Sequence, residues 1–131
     1  MPKRNRISES EWAVMRVVWD RHPVTASEVA EALRRKKRWS DRTVKTLLSR
    51  LVKKKALAFE SEGKRYLYRP LLTREAGVRA ESESFLERVF GGAATPLLAF
   101  LVEKKGLSRD EIASLRRLLA EAEAEKGGRS R

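Results

Sequence analysis

Residues 40–55, SDRTVKTLLSRLVKKK, set short hydroxyls beside long cations: Ser40, Arg42, Thr43, Lys45, Thr46, Ser49, Arg50 and Lys53, with Asp41 the one acid. Such a mixture contains no nucleophile paired with a base. It is a set of hydrogen-bond donors of two lengths, suited to phosphate oxygens and to base edges. Val44, Leu47, Leu48, Leu51 and Val52 recur at i, i+3, i+4, i+7 and i+8, one stripe of an amphipathic helix. An unpartnered surface helix gains from i, i+4 pairs of opposite charge and loses from like charges. This helix lacks the acids, so its cationic arc is either simply solvated or completed by a polyanion.

Other chemistries find little support. The chain has no cysteine and one histidine, His22 in the turn-like DRHPV, so thiolate and His-rich metal sites are excluded. Ser61 and Lys64 in SEGK match S-x-x-K formally, but that pair requires a helix in a buried site, and a hairpin tip leaves nothing to shift the lysine. No carboxylate cluster suggests a metal-dependent nuclease. The chain reads as a binding protein, not an enzyme, with no cofactor and no metal.

The elements that must hold this helix are well signposted. Ser8 with Glu11 and Thr25 with Glu28 are capping boxes, opening a first helix with Trp12, Met15, Val18 and Trp19 and a second with Val29, Ala30 and Leu33. Ser40 caps the third. In ALAFESEGKRYLYRPLL the period then changes to that of a β-hairpin, with Gly63 at its tip, Lys64 and Arg65 presented there, and Pro70 ending the second strand. Three helices and a hairpin within about 70 residues are the order of a winged helix-turn-helix domain, 1–72. The expected fold is mainly α with a small β-hairpin wing.

Charge divides the chain in the same place. Residues 1–72 carry 19 Lys+Arg against 8 Asp+Glu, and residues 73–131 carry 11 against 10, within a formal net charge of +12. That asymmetry suits a chain of which one part meets phosphates and another does something else. The second part reads as a helical domain, 73–124. A fourth helix from about Thr73 gathers Phe85, Leu86, Val89 and Phe90 before Gly91-Gly92. A fifth, from Thr95-Pro96, carries Leu97, Leu98, Leu101 and Val102. A sixth is opened by the Ser108/Glu111 box and carries Ile112, Leu115, Leu118 and Leu119. Three short helices bury little by themselves, so they either fold back on the first domain or are covered by a second copy; a homodimer is expected, formed through Phe85, Leu86, Val89, Phe90, Leu97, Leu98, Leu101, Ile112, Leu115 and Leu119. Residues 125–131 lose the apolar stripe and are expected to form a disordered tail. The cationic start has no apolar run after it, and the run at 93–102 is about half a membrane span, so a soluble cytoplasmic protein without membrane contact is expected.

Between helices 2 and 3 lies RRKKRW, five cations followed by Trp39. The block also permits a second reading, a non-specific architectural DNA- or RNA-binding protein. Single-strand binders need exposed aromatics for stacking, whereas the Trp and Tyr residues here fall mostly on packing positions, with Trp39 beneath helix 3.

ISESEWAVMRVVW, WSDRTVKTLLSRLVKKKAL, GKRYLYRPL and LLAFLVEKKGLSRDEIASLRRLL together resemble the penicillinase repressor family, the BlaI/MecI group of bacterial transcriptional repressors, with CopY-type copper-responsive repressors as relatives. The resemblance covers residues 7 to about 120. It implies a homodimeric repressor whose winged helix binds operator palindromes of a TACA/TGTA type, and whose C-terminal helices dimerise. It also implies operator contacts at Arg42, Thr43, Lys45, Thr46 and Arg50. In β-lactam-responsive members a sensor-linked protease relieves repression by cleavage at an Asn-Phe bond. The matching pair here is Ala99-Phe100, without the Asn. The C-terminal cysteines of the copper-sensing relatives are absent.

Overall fold

Hydroxyl side chains that satisfy the first free N–H groups of a helix decide where most helices of this chain begin. The computed structural model describes residues 6–129. Ser8 and Glu11 bond reciprocally at the start of α1 (Glu9–Arg21), as do Thr25 and Glu28 at the start of α2 (Ala26–Leu33). Ser40 caps α3 (Asp41–Lys53), its Oγ accepting from the Thr43 N–H at 3.1 Å. Strands β1 (Leu57–Glu62) and β2 (Arg65–Pro70) pair antiparallel from Leu57↔Pro70 to Glu62↔Arg65. The loop between them is only Gly63-Lys64, and Gly63 takes φ 63°, which a two-residue hairpin turn requires and glycine adopts without steric cost. Helices α4 (Arg74–Phe90), α5 (Ala94–Phe100) and α6 (Arg109–Arg129) follow, with a π-helical turn at Leu101–Lys105 after α5.

Val44, Leu47, Leu48 and Leu51 of α3 are buried with Val14, Met15 and Val18 of α1, Val29 and Leu33 of α2, and Leu57 and Tyr68 of the hairpin. Each such side chain contributes about 1.5–3 kcal/mol by leaving water. Like-charge repulsion on a helix surface costs only tenths of a kcal/mol per pair, so the apolar stripe decides how α3 lies. The wing has a further tie that the sequence pattern does not announce. Val24 and Tyr68 exchange both backbone hydrogen bonds, at 3.0 and 2.8 Å, adding one residue before α2 as a short bridge to β2.

Two contacts fix the carboxyl end of α3. Lys54 Nζ donates to Glu11 Oε1 at 2.5 Å and to the Arg6 carbonyl at 2.6 Å, and the Glu11 side chain is 2% exposed. Burial pushes the Glu11 carboxyl up, but the Lys54 hydrogen bond and charge, with the Ser8 N–H and hydroxyl, outweigh it and hold the group below its ordinary range. Lys55 then takes φ 65°, while its N–H donates to the Val52 carbonyl and that of Ala56 to Leu51, the Schellman pattern in which glycine usually stands.

The chain divides into two compact units, Met1–Ser84 and Phe85–Arg131. The division lies later than the expected break after residue 72, because α4 as far as Ser84 belongs with the first unit. Trp19 Nε1 donates to the Leu72 carbonyl at 2.9 Å, Arg74 pairs with Asp20, and Gly77 lets α4 approach so closely that a Cβ there would lie 3.1 Å from Trp19 Cη2. In the second unit the Ser108/Glu111 box forms as expected. The expected disordered tail is corrected in part: α6 continues to Arg129, and residues 130–131 lie outside those described. Loss of the apolar stripe removes packing but leaves EAEAEK, whose residues are strong helix formers.

Lys55→Gly relieves a left-handed backbone held by a side-chain-bearing residue and is expected to raise stability by about 0.5–1 kcal/mol, read as a higher midpoint in thermal unfolding. Glu11→Gln keeps most of the capping geometry but leaves Lys54 without its counter-charge, at about 1–3 kcal/mol at pH 7. The folded carboxyl titrates lower than the unfolded one, so its contribution is present above the ordinary carboxylate range and lost as pH falls through the folded value. The gap between wild type and variant in denaturant titrations is therefore expected to close on acidification.

Candidate nucleic-acid interface

With its apolar stripe sealed inward, α3 turns the opposite arc outward. Arg42, Lys45, Thr46, Ser49, Arg50 and Lys53 are all exposed and together line an open groove of about 560 Å³, with no acidic side chain among them. Ser40 and Thr43 stand apart from this set. Thr43 is half-buried, and Ser40 Oγ donates to Thr43 Oγ1 at 3.2 Å as well as capping the helix, so these two hydroxyls hold the helix start.

A second cleft, of about 690 Å³, runs from α3 to the wing. Lys45 and Ser49 line both hollows, which makes the polar surface continuous. The wing contributes Lys64, Arg65, Phe59, Tyr66 and Tyr68, and the start of α2 contributes Thr25, Ala26 and Ser27. Lys64 sits in the turn, exposed. Arg65 is less free than its place at the tip suggests. Its Nε and Nη2 donate to Glu62 Oε1 at 3.2 and 2.8 Å, and these bonds, with the Glu62 charge, raise its affinity for a proton further. Glu28 is held below its ordinary range chiefly by the Thr25 N–H, with Arg65 and Arg21 adding their fields. Burial pushes the Tyr68 phenol up, so it stays neutral.

Sequence reasoning missed Tyr66, and the expectation that the tyrosines pack is corrected for it: Tyr66 is 48% exposed while Tyr68 is 7%. Both lie on one face of β2, but only Tyr68 reaches the core, because the wing projects beyond it. Tyr66 stacks on Phe59, itself exposed, with ring centroids 4.5 Å apart. The alternation Tyr66-Leu67-Tyr68 signalled the shared face and not where the core ends. Trp39 is half-buried against the core, as expected.

The second unit presents apolar surface. Of the side chains expected to dimerise, Phe85, Val89, Ile112 and Leu119 are exposed, and Leu86, Phe90, Leu97, Leu98, Leu101 and Leu115 are half-buried. Leu118 is 60% exposed. Ala99 and Phe100 are exposed at the end of α5, directly before the π-helical turn. Among the described residues no cluster of His, Asp or Glu could hold a metal, and no single helix is long and apolar enough to cross a membrane.

Residues 7–121 match the penicillinase repressor family model. The chain is 34% identical over 121 residues to the penicillinase repressor of Bacillus licheniformis, covering 92% of this chain and 94% of that protein. It is 33% identical over 117 residues to the methicillin resistance regulatory protein MecI of Staphylococcus aureus strain N315, covering 89% and 95%. The solution structure of the DNA binding domain of the repressor BlaI is similar at a TM-score of 0.51 and 36% identity, over 58% of this chain and 93% of that domain. A winged-helix unit, a helical second unit and a match along nearly the whole length agree: the chain belongs to the penicillinase repressor family.

Proposed function

We propose that this chain is a cytoplasmic, sequence-specific transcriptional repressor that binds double-stranded DNA as a homodimer on a two-fold symmetric operator. The observation that carries the reading is the outer arc of α3: six exposed donors, two with hydroxyls and four with cations, on a helix held by its other side. A major groove about 12 Å wide admits one helix gripped in this way. Lys45, Thr46 and Ser49 stand at the middle of the arc and read base edges. Arg42, Arg50 and Lys53 reach the flanking phosphates, and Lys64 on the wing contacts the backbone. Likeness to the DNA binding domain of BlaI supports this assignment.

The second unit supplies the dimer. Its exposed leucines and phenylalanines are too many for a chain that acts alone, and one recognition helix gives limited specificity, whereas two-fold proteins read two-fold sites. Repression is relieved by a signal acting on this unit. Ala99-Phe100 is the counterpart of the cleavage site in the family resemblance, and a sensor-linked protease is the partner that reading implies. Because the bond lies in a helix, cleavage there requires α5 to open first.

Lys45→Ala is expected to cost on the order of 1–3 kcal/mol on an inverted TACA/TGTA repeat and to relax preference over random duplex. Lys64→Ala is expected to weaken both equally and to make log K against log salt shallower by about 1. Competition titrations at several salt concentrations separate the two effects. Unchanged preference in Lys45→Ala, or a wild-type chain that binds both duplexes alike, would favour the architectural reading. Leu118→Glu with Leu119→Glu is expected to turn a dimer into a monomer in sedimentation equilibrium, with the first unit still folded.

A further inference from the structure

The five cations between α2 and α3 have no role in the interface described so far. Arg34, Arg35, Lys36, Lys37 and Arg38 are all exposed. They stand on a turn anchored at both ends. The N–H groups of Lys36 and Lys37 donate to the Leu33 carbonyl at 3.1 and 2.8 Å, extending α2. At the far end Trp39 packs against the core with Lys37 Nζ 5.5 Å from its ring centroid, and Ser40 then caps α3.

Intramolecular partners account for part of this charge. Arg34 pairs with Glu31 at 3.1 Å, Lys37 rests on Trp39, and the carboxyl end of α2 favours one or two nearby cations. Among the described residues no ion pair joins Arg35, Lys36 or Arg38 to a carboxylate. An anchored turn cannot spread its charges apart as a loose loop would, so the free chain holds an uncompensated positive potential just before α3. A row of phosphates relieves it.

We propose that Arg35, Lys36 and Arg38 form a sequence-independent phosphate clamp on duplex DNA. The proposal rests on the reading of α3 as the helix that enters the groove. In a helix-turn-helix the preceding helix crosses the backbone, so the turn between the two stands at the phosphates bordering that groove, out of reach of base edges. Along the chain the clamp leads directly into the cationic arc of α3, with Trp39 and the capping Ser40 between Arg38 and the helix that carries Arg42. A duplex fits better than a single strand, since the one aromatic ring beside the turn, Trp39, is occupied by the core and by Lys37 and offers no stacking platform.

The test is the full-length triple variant Arg35→Gln, Lys36→Gln, Arg38→Gln, with circular dichroism to establish that it folds. Anisotropy titrations over a range of salt use three probes: a duplex with an inverted TACA/TGTA repeat, an unrelated duplex, and single-stranded RNA. Affinity for both duplexes is expected to fall by the same factor, roughly tenfold or more at 0.1 M salt, with log K against log salt shallower by about 2 to 3 and the preference ratio kept. An unchanged slope overturns the clamp, as does a loss confined to the RNA or a change in the preference ratio alone. If the wild-type chain shows no preference between duplexes, α3 is not a reader of sequence, while a shallower slope in the variant still upholds the clamp at the phosphates bordering the groove.

Discussion

Everything proposed for this chain depends on one constraint, that α3 is held from one side only. Val44, Leu47, Leu48 and Leu51 are sealed against α1, α2 and β1, so rotating the helix would bring leucines into water at about 1.5–3 kcal/mol each. The polar arc is outside because the apolar stripe cannot be. Both ends of the rod are fixed as well. At the start, Ser40 and Thr43 exchange hydrogen bonds; at the finish, Lys54 reaches Glu11 at the beginning of α1 and Lys55 turns the chain sharply into β1. A reading helix must present its donors within fractions of an ångström, and such end contacts supply that register.

Much of this was legible in the sequence because the signals are local. Hydroxyl and carboxylate three residues apart marked α1, α2 and α6; the 3,4 spacing marked the buried stripe of α3; Gly63 between alternating residues marked the wing. What was not legible depends on distant parts of the chain. Glu11 reads as a capping residue, and nothing local says that Lys54, far along the chain, neutralises it in a buried place. Val24 reads as a loop residue until β2 is beside it. Tyr66 and Tyr68 are indistinguishable by pattern, and the edge of the core alone separates a packed ring from an exposed one. In α4, Gly77 is the place where Trp19 comes close, which no local pattern marks.

The second unit differs in kind. Neither α5 nor the π-helical turn buries a residue, and Phe100, Val102, Leu118 and Leu119 are all more than half exposed. Helices of this length gain most of their stability from packing one face, since nucleation is costly and propagation marginal in water. A unit left so open is either weakly stable or completed by another surface. On the proposed reading a second copy completes it, which couples the folding of this unit to protein concentration and makes dimer and operator binding one linked equilibrium.

That linkage bears on how affinity and specificity are divided. Nearly all the excess positive charge lies in the first 72 residues, and attraction to phosphates is the same on every sequence. A chain with so much unspecific attraction would be spread over all available duplex unless the specific site offered more, and each base pair read supplies only about 1–3 kcal/mol. On the proposed reading only Lys45, Thr46 and Ser49 read base edges, so a single copy has little discrimination to set against its charge. Two copies on a symmetric site double the base contacts while the electrostatic slope grows for specific and unspecific duplex alike. On the proposed reading, separating them therefore removes preference before it removes binding, and the derepressing signal acts on the open apolar surface of the second unit.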